Sequence, residues 1–514
     1  MTGAVMVESG GSSGGDFPAK LTKQVIVCSI IAACGGLMFG YDIGISGGVT
    51  SMDDFLIKFF PIVYAKKHEV KENNYCKYDN QYLQLFTSSL YLAAILASFI
   101  ASITCKAFGR KVTIQAASVF FVTGSVLNAA AKDLGMLIAG RICLGIGVGF
   151  GNQDRILYIV NPAVPLFISE IAPTRYRGAL NICFQLLITV GILLANFVNY
   201  GTSRIHPYGW RISLGGAGVP ALILLVGSLL IVETPTSLIE RGHIEEGLKI
   251  LRKIRGVEDV QKEYEMITHA TELASQEKHS YRKLMHRSNR PQLLVTVALQ
   301  IFQQFTGINV IMFYAPVLFQ TIGFGSDASL LSSAVTGSVN VASTFVANII
   351  VDKAGRKSLL IEAAVQMFIA QSIMGGILAK YLTATSTMPD KYAWIVLILI
   401  CIFVSGFAWS WGPLGWLIPS EIFPLEVRNA GFFFAVSTNM LFTFLIAQAF
   451  LTMLCHMQSG IFFFFAAWVL VMFLFAIFLL PETKGIPIDE MVDRVWKKHW
   501  YWKKYYNDEQ AATK

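Results

Sequence analysis

"SEIAPTRYRGA" (169–179) returns 251 residues later as "SEIFPLEVRNAG" (420–431), and "FGRK" (108–111) returns 246 residues later as "AGRK" (354–357). Both separations are close to half of the 514 residues. Two motifs recurring in the same order at nearly the same spacing mark an internal duplication. What lies between them sets the fold class. The chain is 54% hydrophobic and only 14% charged, with mean hydropathy +0.55. A soluble chain carries about 25% charged residues. Apolar runs of about 20 residues, enough to cross ~30 Å of hydrocarbon, recur along the whole length. The duplicated unit is a set of membrane-spanning helices.

Twelve spans are expected, at 23–47, 81–104, 112–131, 134–172, 177–200, 209–232, 292–321, 327–351, 358–381, 392–418, 428–453 and 459–480. They divide the chain into an N-terminal tail (1–22), a six-helix half (23–232), a central loop (233–290), a second six-helix half (291–480) and a C-terminal tail (481–514). The stretch 236–290 has 11 Lys/Arg and 9 Asp/Glu, and "SLIERGHIEEGLKILRKIRG" within it has the charge spacing of short solvated helices. Two six-span halves in parallel orientation around a central loop form a transporter architecture, with its site between the halves.

Basic residues set the orientation. Lys106, Arg110, Lys111, Arg175, Arg177, Lys353, Arg356 and Lys357 share one side with the central loop and the tail "RVWKKHWYWKK". The positive-inside rule makes that side cytoplasmic, and an even span count puts both termini there. Segment 50–80, with five Lys and five acids, is then extracellular. The net charge of +8 sits in short loops and reports topology, not a nucleic-acid partner. Residues 1–20 are polar and Gly/Ser-rich, without the pattern of a secretory signal, so the first span reads as an uncleaved anchor.

A few polar residues interrupt the spans. Asp42 lies in "GGLMFGYDIGISGG" (35–48), otherwise free of charge. A lone carboxylate at that depth finds a partner or takes up a proton. Gln303, Gln304 and Asn309 cluster in "QQFTGIN", where Gly307 and later Pro316 weaken the seventh helix. Broken helices near mid-membrane are where substrate sites form. Gln185, Asn340 and Asn439 are further amides in apolar spans, Thr443 lies one turn beyond Asn439, and Trp416 sits beside "GPLG". Amides both donate and accept, as sugar hydroxyls require, and an indole stacks on the C–H face of a pyranose. The competing reading is interhelical glue. Neither a Walker A loop nor HExxH occurs, no histidine sits mid-span, and no Cys/His group has metal-ligand spacing. These patterns point away from an enzyme, a primary pump, a metal site or a cofactor.

"GYDIGISGGVTSMDDFL", "GRICLGIGVGFGNQ", "SEIAPTRYRGALN", "QQFTGINVIMFYAP", "DKAGRKSLL", "GPLGWLIPSEIFPLEVR" and "PETKG" follow one another between about residues 20 and 485. In this order they resemble the sugar porters of the major facilitator superfamily, and more closely the plant proton-coupled monosaccharide carriers of the plasma membrane. The resemblance implies an all-α, twelve-helix carrier that alternates between outward-open and inward-open states and imports hexose with protons. It assigns Asp42 as proton acceptor and Arg141, in "AGRICLGIGVGFG", as its partner, with Gly140, Gly145, Gly147, Gly149 and Gly151 allowing a close helix approach. A static ion pair is the alternative. It places Gln185, Gln303, Gln304, Asn309, Asn340, Trp416, Asn439 and Thr443 at the sugar.

The resemblance also makes "TSMDDFLIKFFPIVYAKK" an extracellular lid, opening on a Thr/Ser cap and presenting Met52, Phe55, Leu56, Phe59 and Phe60 on one face. It ties that lid to the second half by a Cys76–Cys455 disulfide; two free thiols are the alternative. Cytoplasmic latches would use Gly109, Arg110, Lys111, Glu170 and Arg177 in one half, and Asp352, Gly355, Arg356, Glu421, Arg428, Pro481 and Glu482 in the other. "CKAFGRK" lacks the acid that Asp352 supplies in the second copy, so the first latch is expected to be weaker. A facilitative uniporter and a non-transporting sugar sensor remain open; Asp42 argues against the first, and the short tail after "PETKG" against the second.

The fourth span departs from the family pattern. "DRILYIVNP" (154–162) separates Gln153 from Ala163, where the family would read straight through. As one helix, 134–172 would reach about 58 Å against ~30 Å of hydrocarbon. The stretch is either a genuine elongated or bulged helix carrying Asp154 and Arg155, or an in-frame insertion such as a retained intron. In the second case its deletion raises membrane insertion and uptake.

Overall fold

The computed structural model describes residues 22–69, 72–151, 177–265, 267–268, 280–382, 388–424, 427–484, 486 and 490–506. Its described elements are helical, and twelve of the helical stretches are long and apolar enough to span a membrane. In the first half, the spans are α1 (Lys23–Ser51), α4 (Gln81–Phe108), α5 (Arg110–Ala130), α6 (Leu134–Gly151), α7 (Arg177–Thr202) and the broken pair α8 (Gly209–Gly216) and α9 (Gly218–Leu230). Between α1 and α4 stand two short helices, α2 (Asp53–Phe59) and α3 (Pro61–His68). The central loop supplies α10 (Pro235–Glu240), α11 (Ile244–Arg255) and α12 (Ser280–Leu284).

The second half starts with a span broken into α13 (Arg290–Phe305) and α14 (Ile308–Ile322), followed by α15 (Ser326–Ala354) and α16 (Arg356–Tyr381). Next comes a second broken span, α17 (Asp390–Trp409) and α18 (Trp411–Ile422), then α19 (Arg428–Met457) and α20 (Gly460–Phe478). Residues 154–162 and Glu170 lie outside the described residues.

Lipid-facing and core-facing residues separate as a membrane requires. Leu229, Leu230, Val226 and Ile398 are exposed on the spans, whereas Asp42, Arg141, Gln303, Asn309 and Asn439 are buried. In a bilayer the polar side chains turn inward, because nothing in the hydrocarbon can hydrogen-bond them. Packing between spans relies on small residues. A Cβ at Gly145 of α6 would collide with the Leu90 carbonyl of α4, and one at Gly149 would lie 2.7 Å from the Ala94 carbonyl. Helices that close together are held by dispersion contacts between backbones.

The seventh span breaks where Gly307 and Pro316 predict it. Gly307 has φ +85°, a left-handed conformation open to glycine at little cost, and Tyr314, two residues before Pro316, leaves the helical region. The break in the tenth span, at Ser410 (φ −133°, ψ −88°), was not anticipated; "SWGPLG" carried the signal.

The segment expected to form a lid departs from expectation at its start. Thr50 and Ser51 do not cap a lid helix. They form the last turn of α1, their hydroxyls donating back to the Gly47 and Gly48 carbonyls, and α2 starts after Met52. A hydroxyl at a helix C-terminus has free carbonyls within reach, and these hold it in α1. Met52, Phe55, Leu56, Phe59 and Phe60 are all buried, with Phe59 edge-on to Trp210 at 5.2 Å.

Candidate functional site

Asp42 and Arg141 meet in the first half. The Arg141 guanidinium donates to Asp42 Oδ1 at 2.7 Å, and the two side chains are 1% and 2% exposed. Sequence reasoning missed the rest of the site. Arg141 Nε donates to the Phe86 carbonyl at 2.9 Å, its other terminal nitrogen donates to Ser46 Oγ, and the guanidinium lies 4.6 Å from the Phe86 ring centroid. Ser46 in turn donates to the Asp42 carbonyl at 3.0 Å. Its position four residues after Asp42, one helical turn, was the available clue. Arg141 therefore keeps three neutral partners when the ionic one is removed, so the guanidinium stays anchored while the carboxylate changes state. That arrangement is suited to binding and releasing a proton.

Amide side chains converge in the second half. Asn309 donates to Gln304 Oε1 across the Gly307 break and to Thr443 Oγ1 at 3.5 Å. Asn439 donates to Gln303 Oε1 at 2.7 Å and to Gln300 Oε1 at 2.8 Å. Gln303 spends its own N–H groups on the Trp411 and Gly412 carbonyls, both at 3.0 Å, and Gln300 donates to the Gly415 carbonyl at 2.6 Å. The two broken spans are thus stitched together by Gln300 and Gln303. Gln300 was not anticipated, although its place three residues before Gln303 puts both on one helical face.

Both N–H groups of Gln303 are taken by backbone carbonyls of α18, so its amide holds the break, and the linked side chains of Gln304, Asn309 and Thr443 adjoin it. Among the described residues, Gln185 Oε1 and Asn439 Oδ1 are buried without a hydrogen-bond partner. A buried acceptor left unpaired is costly, and a bound hydroxyl group relieves it. Asn340 lies on α15 with its amide 3.8 Å from Met312 Sδ, three residues along α14 from Asn309. Trp416 is buried next to Gly415.

The charged and amide clusters are coupled by direct packing. Gly47, five residues after Asp42, abuts the Phe313 carbonyl of α14, where any Cβ would collide. Tyr91 of α4 packs on Phe313 with ring centroids 5.3 Å apart. A shift of α1 is therefore felt on the helix that carries Asn309.

The end that carries α2 and α3 is tied across the halves. Cys76 and Cys455 form a disulfide with Cα atoms 4.4 Å apart. Thr452 donates to Asp79 at 2.7 Å, Ser88 donates to Gln448 at 2.6 Å, and Tyr78 donates to Gln320. Burial pushes the Tyr75 hydroxyl up to about 12, so it remains a donor, to the Leu382 carbonyl. Asp54 and His206 pair at 2.6 Å between the lid and the first half.

The opposite end carries two matching clasps. Gly109 (φ +92°) and Gly355 (φ +89°) each turn the chain tightly into the next helix. The Glu233 carboxylate accepts from the Arg110 and Lys111 backbone N–H groups at 3.0 and 3.2 Å; Glu482 accepts from those of Arg356 and Lys357, both at 3.0 Å. A carboxylate on exposed helix N–H groups is favoured by the helix dipole. Arg110 also pairs with Glu240 at 3.0 Å, and Arg356 with Glu421 at 2.8 Å. Glu233 was missed, although "VET" (232–234) repeats as "PET" (481–483) at the spacing of the other motifs. Pro481 is buried beside Glu482, and Arg428 opens α19 half-buried. The side chains of Arg177 and Asp352 are outside the described set.

The family described as "Sugar (and other) transporter" matches residues 28–496. The chain is 63% identical over 506 residues to sugar transport protein 8 of Arabidopsis thaliana, covering 98% of both chains. It is 64% identical over 489 residues to sugar transport protein 6 of the same plant, covering 95% of each, and 60% identical over 497 residues to sugar transport protein MST4 of rice (Oryza sativa subsp. japonica), covering 96% and 95%. Among solved structures it is similar to the proton:xylose symporter XylE bound to 6-bromo-6-deoxy-D-glucose, with TM-score 0.72 and 27% identity over 92% of this chain and 99% of that one. With its twelve spans, paired clasps and buried Asp–Arg and amide clusters, this chain belongs to the sugar transporter family.

Proposed function

We propose that this chain imports monosaccharides, glucose-like hexoses in particular, together with protons across the plasma membrane by alternating access, with both termini and the central loop cytoplasmic. The Asp42–Arg141 pair carries the reading. It is fully buried, and its helix packs directly on the helix that bears the amides. The names of the relatives and the proton coupling of XylE support the same class.

In this reading Asp42 is the proton carrier. Protonation removes the ionic bond to Arg141, which retains the Phe86 carbonyl and Ser46, and frees α1 to move against α6. Gln304, Asn309, Asn439, Thr443 and Gln185 hold the sugar hydroxyls, Asn340 and Trp416 complete the wall, and Gln303 holds the break. The lid excludes water while Asp42 changes state, and the paired clasps hold the cytoplasmic end until both ligands are bound. The driving force suffices. About 2.3 kcal/mol per charge per 100 mV and about 1.4 kcal/mol per pH unit give ~6 kcal/mol at ~150 mV and two pH units. That sustains accumulation on the order of ten thousand-fold.

Labelled-hexose uptake in a transport-deficient host tests this. Accumulation above the external concentration, collapsed by a proton uncoupler, is expected. Uptake that only equilibrates, at every external pH, would make the chain a uniporter, and sugar binding without any uptake would make it a sensor.

A further inference from the structure

We infer that the clasp end also carries a binding site for the polyphosphorylated headgroup of a membrane lipid, built where α13 begins and the C-terminal segment docks. A cleft of about 370 Å³ there is lined by Arg282, Lys283, His286, Ser288 and Asn289. The two basic residues and His286 are exposed. Arg287 and Arg290 flank it, and no Asp or Glu occurs from residue 280 to 326.

Tertiary contacts bring a second basic run beside the first. Arg287 donates to the Lys504 carbonyl at 3.1 Å, and Gln292 shares a 2.9 Å hydrogen bond with the Tyr506 hydroxyl. This sets the exposed Lys503 and Lys504 next to the cleft, in a run (494–506) that contains no acid. Among the described residues, no carboxylate pairs with Arg282, Arg290, Lys503 or Lys504. By contrast, Arg494 and Lys497 earlier in the segment are already paired with Glu490 and Asp493.

Position selects the ligand. The apolar run of α13 starts at Pro291, directly beyond the cleft. Trp500 and Trp502 donate their indole N–H groups to the carbonyls of Phe478 and Leu479, where the last span ends, at 2.8 and 2.7 Å. Trp500 remains 62% exposed and Met285, in the same region, 46%. Exposed indole at the end of a span marks the headgroup level. The positive-inside rule accounts for scattered basic residues, but not for a basic cleft beside which a segment far away in sequence docks a second basic run. Clustered Lys and Arg at this depth match a multiply phosphorylated headgroup better than a singly charged one. The orientation proposed above decides only which leaflet supplies the lipid.

The test uses the full chain purified in detergent and fluorescent phosphatidylinositol 4,5-bisphosphate, with the parent compared against Arg282→Gln/Lys283→Gln and Lys503→Gln/Lys504→Gln. Each charge removed should weaken binding about fivefold, the fold-change equivalent to about 1 kcal/mol per basic residue at a membrane surface. Each pair then loses about 25-fold. Hexose transport in vesicles of pure phosphatidylcholine should be unchanged in both variants, which separates this site from the transport site. Equal affinity of parent and variants overturns the proposal. So does equal binding of phosphatidylserine at matched total charge, which would leave only diffuse attraction. Soluble inositol trisphosphate binding as tightly as the lipid would reassign the cleft to a free polyphosphate and likewise overturn it.

Discussion

The two halves share a backbone plan but bury different polar groups. Between the lid and the clasps, the first half encloses an ion pair, Asp42 and Arg141. The second half encloses neutral amides, Gln300, Gln303, Gln304, Asn309 and Asn439. Duplication supplied one scaffold, and divergence of a few side chains gave each copy its own chemistry. A carboxylate gains and loses a proton; an amide does not, yet it matches a sugar hydroxyl as both donor and acceptor. In the proposed function the proton belongs to the first half and the sugar contacts, Gln185 of α7 apart, to the second, and substitutions can separate the two.

The largest effect is expected at the charged side. Asp42→Asn should abolish accumulation against a gradient while leaving sugar exchange down a gradient, since the amide keeps a hydrogen-bond partner for Arg141 but carries no proton. Accumulation equal to the parent's, still sensitive to uncoupler, would move the proton site elsewhere. Arg141→Ala should lose coupling as well, because a carboxylate without a counter-charge at this depth is stable only as the neutral acid. Retained pH-dependent accumulation in that variant would break the division between the halves.

On the neutral side the effect is on affinity. Gln304→Ala and Asn309→Ala should each weaken apparent sugar affinity by about 1–3 kcal/mol, fivefold to roughly 150-fold. Accumulation at saturating sugar should persist. Gln303→Ala sharpens the comparison, because the Gln303 amide ties α13 to the Trp411 and Gly412 carbonyls across the break. Its loss should lower thermal stability together with uptake, whereas Asn309→Ala should lower uptake with little change in melting. Identical behaviour of the two would erase that distinction.

Smaller effects belong to the ends. Cys76→Ala should loosen the lid and shift the pH profile of uptake, and an unchanged profile excludes a lid role in proton access. His499 should give the smallest response. Its Nδ1 accepts from the Tyr501 and Trp502 backbone N–H groups at 3.3 and 3.5 Å, which requires a neutral ring, and burial together with Lys357 holds the imidazole below its usual range. The undocked segment therefore takes up a proton first. The contribution of His499 to docking is complete above about pH 6.5, the ordinary histidine value, and is lost as pH falls through the lower docked value. Protease protection of the tail should decline over that window, and His499→Gln should flatten the decline.

Much of this was legible in the chain. Span positions follow from hydropathy, since about 20 apolar residues have one stable home in a bilayer. The halves follow from the paired motifs, and the kink of the seventh span from Gly307 and Pro316, which act on the backbone locally. Gln300, Ser46 and Glu233 escaped notice because each is an ordinary polar residue until a neighbour distant in sequence gives it a partner. The Thr50–Ser51 hydroxyls were misassigned for a related reason: a cap and a C-terminal turn look alike until the helix end is known.

By itself, then, the sequence determined a twelve-span duplicated carrier, a buried carboxylate in its first span and an amide cluster at a break in its seventh. These are consequences of solvation and local backbone preference, which act residue by residue. Only the tertiary structure decided that Arg141 reaches Asp42 past the Phe86 carbonyl, that Gln303 ties two broken spans while Asn309 does not, and that Gly47 presses α1 onto Phe313. Those facts depend on how far and at what rotation separate helices approach. That distance is set by the sum of many side-chain contacts across elements, and no local stretch of sequence contains it.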